Sequence, residues 1–357
     1  MTDKNMTFGI VGCGRVTETR HLPALRSLES ARVVALADIN VDRLNQVADR
    51  FHINHRYTDY RRLLSNRSID NVAVCVPVKF HVEVASAALA AGKHVFLEKP
   101  LALGLDESDL LIGRAKESSN KVMVGFNLRW HRLVRRARET IRQGTLGRIQ
   151  MVRSILTSYH ENVPEWRRHR THGGGVIFEQ AVHHFDLWRF LLQSEVEEVF
   201  ATSRSGKWDD ETATVTARMA NGALVCSVFS ERAMARNELE IYGERRCMRI
   251  DCYRFNGLEE TSSFEHPGGI HSRLPNIKDT LRELPIALLK LRHGGSFVDS
   301  YRAEWRHFID AIGRNTPVEP TLADGRSALQ VALAVVESAS SGHPVKILPE
   351  PAKSRPA

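Results

Sequence analysis

The sequence predicts an α/β fold: an amino-terminal doubly wound parallel sheet, then an α+β domain built on a large, mostly antiparallel, open-faced sheet. Three observations predict it. Up to Phe126, near-continuous apolar runs alternate with helical segments, the pattern of a parallel sheet covered on both faces. The first of those runs ends in a Gly-x-Gly turn at Gly12 and Gly14. Beyond Phe126 the strands lengthen and alternate polar with apolar residues, as in an antiparallel sheet with one face packed.

Taken in order, 7–12 (TFGIVG) is a short apolar strand, and a helical stretch follows from about 15 to 30. Residues 32–38 (RVVALAD) form a β-branched buried strand, and a helix over 42–51 starts with Asp42, whose charge suits the helix dipole. Another strand spans 71–77 (NVAVCVP), and an alanine-rich helix over 82–91 closes at Gly92. Strand 94–98 (HVFLE), helix 108–118 and strand 122–126 complete the first pattern. A helix over 131–143 ends at Gly144, and alternating strands follow at 147–159, 212–219, 224–231 and 237–242 around a helix at 175–192. Residues 256–298 are poorly patterned, with glycine pairs at 268–269 and 294–295 flanking an amphipathic stretch at 277–291. Helices at 301–314 and 324–339 close the chain. The expected domains are 1–126, which binds a cofactor, and 127–350, which binds substrate and self-associates, with a disordered tail at 351–357.

Composition narrows the function. A hydrophobic fraction of 42% beside 26% charged residues fits an ordinary soluble chain. Nothing approaches the run of about 18 apolar residues that a membrane span requires, and the first residues lack the apolar core of a signal peptide. The five cysteines are odd in number and form no C-x-x-C pair, so neither a disulfide framework nor a metal site is expected and the compartment is read as cytoplasmic. The formal charge of +8 is carried partly by arginine clusters at 132–138 and 167–170. Solvated faces explain them first, an anionic small substrate second. No zinc-finger or RNA-binding motif accompanies them, so nucleic acid is not expected as a partner.

The glycine turn is the first sign of chemistry. Gly12 permits the tight turn, Gly14 removes the Cβ that would block a pyrophosphate, and the helix starting at Arg15 and Val16 offers amide donors. Thr17 stands where a third glycine is usual. Asp38 ends the second strand, where a carboxylate accepts the adenosine ribose hydroxyls and repels a 2′-phosphate, favouring NAD over NADP; Arg43 nearby softens that repulsion. Glu98-Lys99-Pro100 then fixes a cation at the end of a later strand, where strand ends converge on the cofactor.

The motifs GIVGCGRV, Pro77 and His81 ahead of an alanine-rich helix, AGKHVFLEKPLA, VGFNLRW and GGGVIFEQAVHHFDLWRFLL resemble the glucose–fructose oxidoreductase/inositol dehydrogenase/MocA (Gfo/Idh/MocA) family. They cover most of residues 6–200 in order. The resemblance implies a Rossmann domain, with Val76, Pro77, His81, Glu98 and Lys99 joining the NAD site. It also implies a catalytic set of Lys99, Glu179 and His183, with Asp186 at the following family position and glutamate at 179 where many relatives have aspartate. Asn127 and Arg129, of the VGFN-x-R segment, are placed near substrate. Trp166 and Arg167 precede the glycine run and are candidates for the same role. Independently, 179, 183 and 186 are spaced four and three residues apart, as on one helix face, and a carboxylate beside an imidazole orients it and raises its basicity. His184 points elsewhere and is read as packing.

The expected activity is hydride transfer between NAD and a secondary alcohol of a sugar, sugar acid, cyclitol or sugar nucleotide. His183 accepts the proton and Lys99 stabilises the oxygen, Lys99 as base being the other division. A glycosidase that oxidises transiently with held NAD, and a non-catalytic NAD sensor, are the competing functions. The substrate is small and carbohydrate-like, anionic if Arg129, Arg167 or Arg170 reach it, and a homodimer or homotetramer forms through the open sheet face.

Overall fold

The computed structural model describes residues 6–262, 264, 281, 284–285 and 295–348. The stretch at 277–291 is described only at 281 and 284–285, while the glycine pair at 268–269 and the tail at 351–357 lie outside the described residues. The chain forms two compact units.

The first unit holds six strands: β1 (Met6–Val11), β2 (Ala31–Ala37), β3 (His55–Tyr57), β4 (Asn71–Val74), β5 (His94–Glu98) and β6 (Val122–Gly125). They pair in the order β3-β2-β1-β4-β5-β6, all parallel. The order reverses between β1 and β4, so their carboxyl ends flank a topological switch point, where ligands bind in open α/β sheets. β4 is buried at every position, which is why its sequence is a continuous apolar run. The helix Val41–Phe51 starts where the Asn40 side chain accepts the Arg43 amide and stops at His52 in the left-handed region. β3 and the helix Tyr60–Leu64 were not anticipated, being too short for periodicity to reveal.

The late helix Gly295–Gly313 also belongs to this unit, although its sequence position suggests the second domain. Trp305 is the reason: its ring stacks on Phe96 of β5 with centroids 4.1 Å apart and meets Phe8 of β1 edge-on at 5.5 Å. All three are fully buried, and aromatic burial of this size outweighs chain order in deciding which core a helix joins.

The second unit is built on eight strands: β7 (Ile149–Tyr159), β8 (Val196–Arg204), β9 (Thr212–Met219), β10 (Leu224–Ser230), β11 (Arg232–Gly243), β12 (Arg246–Asp251), β13 (Leu258–Ser262) and β14 (Val345–Lys346). Their order is β13-β12-β11-β7-β10-β9-β8-β14; every pairing is antiparallel except β7 with β10. The helix Val182–Leu192 packs on one face, where Phe185 and Trp188 meet Phe229 of β10. The strands alternate buried with exposed positions, as β9 shows, and Met151, Phe200, Leu224 and Val228 are exposed large apolar residues on them. β8, β12, β13 and β14 were missed in the sequence, the last because two residues leave no period to read.

Candidate active site

The turn after β1 is fixed from both sides. The Gly12 amide donates to the Ala37 carbonyl and the Cys75 amide to the Val11 carbonyl, each at 2.8 Å. Gly12 has φ +99°, and a Cβ there would fall 2.3 Å from the Cys75 carbonyl oxygen. Glycine is therefore required by the protein's own backbone. At Gly14 a Cβ would meet nothing within 4 Å, so the demand for glycine there points outward, toward whatever approaches the turn. Thr17 replaces the third glycine with a bond: its hydroxyl donates to the Gly12 carbonyl at 2.7 Å.

Asp38 accepts the Cys13 amide at 2.7 Å and the Asn40 amide at 2.9 Å, one on each oxygen. The carboxylate is thus locked beside the turn with lone pairs left over. Ile39, next to it, is 88% exposed, leaving an apolar surface open beside the carboxylate. Arg43, near enough in sequence to serve a 2′-phosphate, is engaged within the protein: its Nε donates to the Cys13 carbonyl at 2.7 Å and its Nη2 to Glu18. Exposed Gly14 and Arg15, the locked carboxylate and the open apolar surface fit the pyrophosphate, ribose and adenine of NAD.

Across the switch point, β5 ends at Glu98 and the Lys99–Pro100 peptide is cis. His81 ties the two strand-end loops together, its ring nitrogens lying 2.9 Å from the Val76 carbonyl and 2.8 Å from that of Pro100. Burial pushes its pKa down against the pull of both carbonyls. Beneath Lys99 runs a chain that sequence reasoning missed. The Trp305 indole donates to His21 Nδ1 at 3.1 Å, His21 Nε2 meets Glu98 Oε1 at 2.7 Å, and Glu98 Oε2 accepts the Lys99 amide at 3.1 Å. Because an indole only donates, Nδ1 accepts and Nε2 carries the hydrogen toward Glu98. Burial works to raise the Glu98 carboxyl, but His21 and Lys99 hold it below its ordinary range. His21 sits on a π-helical turn, Thr17–His21, which no heptad or strand period in the sequence announces. Beside the chain lies Glu304, fully buried, with no hydrogen-bond partner for either oxygen among the described residues. Burial, and then Glu98, push its pKa well above the carboxylate range.

Asn127 and Arg129 turn inward within the same unit. Asn127 donates to Ser300 at 2.8 Å, and Arg129, only 5% exposed, pairs with Asp324 at 2.9 Å. Both side chains are tied to the late helices.

In the second unit, a π-helical turn at Ile177–Ala181 carries Glu179 into the helix bearing His183. The wider turn shifts Glu179 relative to the α-helical face expected for 179, 183 and 186. Glu179 Oε2 lies 3.4 Å from Arg167 Nε, and Arg167 Nη2 pairs with Glu231 at 2.5 Å. Glu231, another residue the sequence did not flag, also accepts the Trp208 indole at 2.9 Å. Burial opposes the Arg167 charge, yet Glu179 and Glu231 raise its pKa; burial pushes Glu231 up against Arg167. The glycine run seats this loop: a Cβ on Gly174 would fall 2.1 Å from the Arg167 carbonyl oxygen. Trp166 is half-buried in the adjoining turn and Asp186 is buried. His184 is packing, fully buried against Asn237 and Phe229, with its pKa pushed down to about 4 by burial. Among the described residues no group of three or more metal-ligating side chains assembles, and no helix is long and apolar enough to cross a membrane.

A glycine turn, a strand-end carboxylate and a strand-end lysine on one edge of a doubly wound sheet define a dinucleotide-dependent oxidoreductase. Comparison with known proteins makes the family specific. The model of an oxidoreductase family with an NAD-binding Rossmann fold matches residues 6–126, and that of the GFO/IDH/MocA C-terminal domain matches residues 134–249. The chain belongs to the Gfo/Idh/MocA oxidoreductase family. It is 29% identical over 351 residues to a myo-inositol 2-dehydrogenase of Thermotoga maritima, covering 96% of this chain and 98% of that one. It is 28% identical to a levoglucosan dehydrogenase of Pseudarthrobacter phenanthrenivorans, covering 94% and 97%. A solved levoglucosan dehydrogenase, in complex with NADH and levoglucosan, shares the fold with a TM-score of 0.83 at 24% identity, covering 97% of this chain and all of that one.

Proposed function

We propose that the protein is an NAD-dependent dehydrogenase of a sugar- or cyclitol-type secondary alcohol, with Lys99, His183 and Glu179 as its catalytic set. The observation that carries this is Lys99 at the end of β5, held through Glu98 and His21, on the sheet edge that carries the Gly12–Gly14 turn and Asp38. The relatives named for inositol and levoglucosan oxidation support the substrate class.

Asp38 takes the ribose hydroxyls, and the amides after Gly14 take the pyrophosphate. NAD, when bound, supplies the hydride acceptor. Lys99 donates a hydrogen bond to the substrate oxygen and stabilises the negative charge that develops there, the electrostatic help of an oxyanion site. His183 accepts the hydroxyl proton as general base, and Glu179 orients it. Lys99 as base is the other division of labour; the pH–rate profile of His183→Ala separates the two.

The exposed apolar residues of the second sheet support self-association through that face, and five unpaired cysteines support a reducing cytoplasm. The test of function is the NADH absorbance band with a panel of sugars, cyclitols and sugar acids. Net NADH accumulation with at least one member is expected. Release of free sugar from a glycoside without net NADH would replace the dehydrogenase by a glycosidase.

A further inference from the structure

Three arginines, Arg129, Arg167 and Arg170, stand in the sequence as readers of an anionic substrate, and each meets a carboxylate within its own unit. Arg129 pairs with Asp324 at 2.9 Å and Arg170 with Asp210 at 3.1 Å. Arg167, the one beside the candidate catalytic Glu179, faces two: Glu231 at 2.5 Å and Glu179 at 3.4 Å. The Glu231 side chain is 1% exposed, and its second oxygen accepts the Trp208 indole at 2.9 Å. Both of its oxygens therefore face donors, the surroundings of a carboxylate and not of an acid. A buried carboxylate in that position fixes a guanidinium's direction as well as its charge.

Resting on the dehydrogenase reading above, we infer that Glu231 is a specificity-determining residue: by holding Arg167 between itself and Glu179 it leaves no cationic charge to spare there, and fits the site to an uncharged polyol. A uronate or sugar phosphate would bring a third anion to a guanidinium that two carboxylates already share, and like charges at such distances repel strongly away from bulk water. Arg167 is then a positioning residue for Glu179, and not a reader of substrate charge. The basic composition of the chain has no part in substrate choice at this point.

The experiment uses the full-length protein loaded with NADH or NAD. Matched neutral and carboxylated ligands are compared: D-glucose with D-glucuronate, D-galactose with D-galacturonate, myo-inositol with quinate. Isothermal titration to the NADH-loaded protein gives the binding ratio without turnover, and kcat/KM with NAD gives the kinetic ratio. The neutral member of the best pair is expected to win by at least tenfold on both measures. In Glu231→Gln, which keeps an acceptor for Trp208, the ratio is expected to move toward the carboxylated member by at least fivefold. A purely structural role for Glu231 would weaken both members in proportion, and that result overturns the inference. Should Glu231→Gln fail to fold, the wild-type ratio decides by itself. A carboxylated ligand bound as well as its neutral partner overturns the inference and leaves the dehydrogenase standing, whereas no binding or turnover of any member overturns both.

Discussion

Replacing Gly14 with alanine places a methyl group where nothing lies within 4 Å, while the same change at Gly12 drives one to 2.3 Å from the Cys75 carbonyl oxygen at φ +99°. The two variants therefore separate cofactor binding from folding. For Gly14→Ala, lost freedom of the unfolded chain stabilises by about 0.4–1 kcal/mol, and exchanging glycine for alanine at the start of a helix costs about 0.5–1 kcal/mol. The net change lies within about 1 kcal/mol. Its methyl, however, holds the pyrophosphate off the turn; losing one or two amide hydrogen bonds to a charged group, at about 1.5–3 kcal/mol each, amounts to about 3 kcal/mol or a hundredfold in NADH affinity. For Gly12→Ala, the left-handed backbone costs about 1–2 kcal/mol, and the clash with main chain forces β1 and β4 apart, for about 3 kcal/mol in all and a melting temperature lower by about 6–12 °C. Thermal unfolding without cofactor and fluorescence titration with NADH read the two quantities separately. A Gly14→Ala protein with NADH affinity within threefold of wild type, or a Gly12→Ala protein that melts at the wild-type temperature, refutes the reasoning.

Trp305→Phe keeps a ring on Phe96 but strips the indole N–H from His21. Loosening the chain that holds Lys99 by one hydrogen bond, about 1 kcal/mol, should lower kcat about fivefold with KM for NAD nearly unchanged. Glu304→Gln tests the buried acid. Its folded-state pKa is raised, so the folded protein binds the proton more tightly and stability declines as pH rises beyond the ordinary carboxyl value of about 4. The amide removes that decline, and denaturant melts should show the variant gaining on wild type at pH 8 and not at pH 4. Asp38→Ala loses the proposed ribose acceptor and the ties to Cys13 and Asn40. NADH affinity should fall about tenfold or more while NADPH binding improves, as paired titrations would show.

Local chemistry was what the sequence displayed best. β5 was legible to the residue, and the Gly12–Gly14 turn and the strand-end positions of Asp38 and Lys99 were legible because strand, turn and side chain lie within a few positions of each other. Contacts between distant segments were not. His21, Trp305 and Glu98 come from three parts of the chain, and nothing in the local pattern of 295–313 marks Trp305 as part of the first core. The same holds for Glu231, which ends an unremarkable alternating strand and becomes informative only where Arg167 meets it. The two π turns escaped because a wider turn leaves no period in a short segment. They shifted the residues whose spacing the α-helical rule had been used to align. Arginine roles were the least legible: Arg43, Arg129 and Arg167 carry fixed charge, but whether that charge is free depends on the carboxylate beside each.

Single-turnover hydride transfer, measured beside NADH affinity in Lys99→Ala and His183→Ala, tests the catalytic assignment most directly. Each substitution should slow the chemical step at least about a hundredfold, within the range for losing an acid–base or charge-stabilising group, with the NADH dissociation constant within threefold of wild type. Hydride transfer at the wild-type rate in either variant would contradict it.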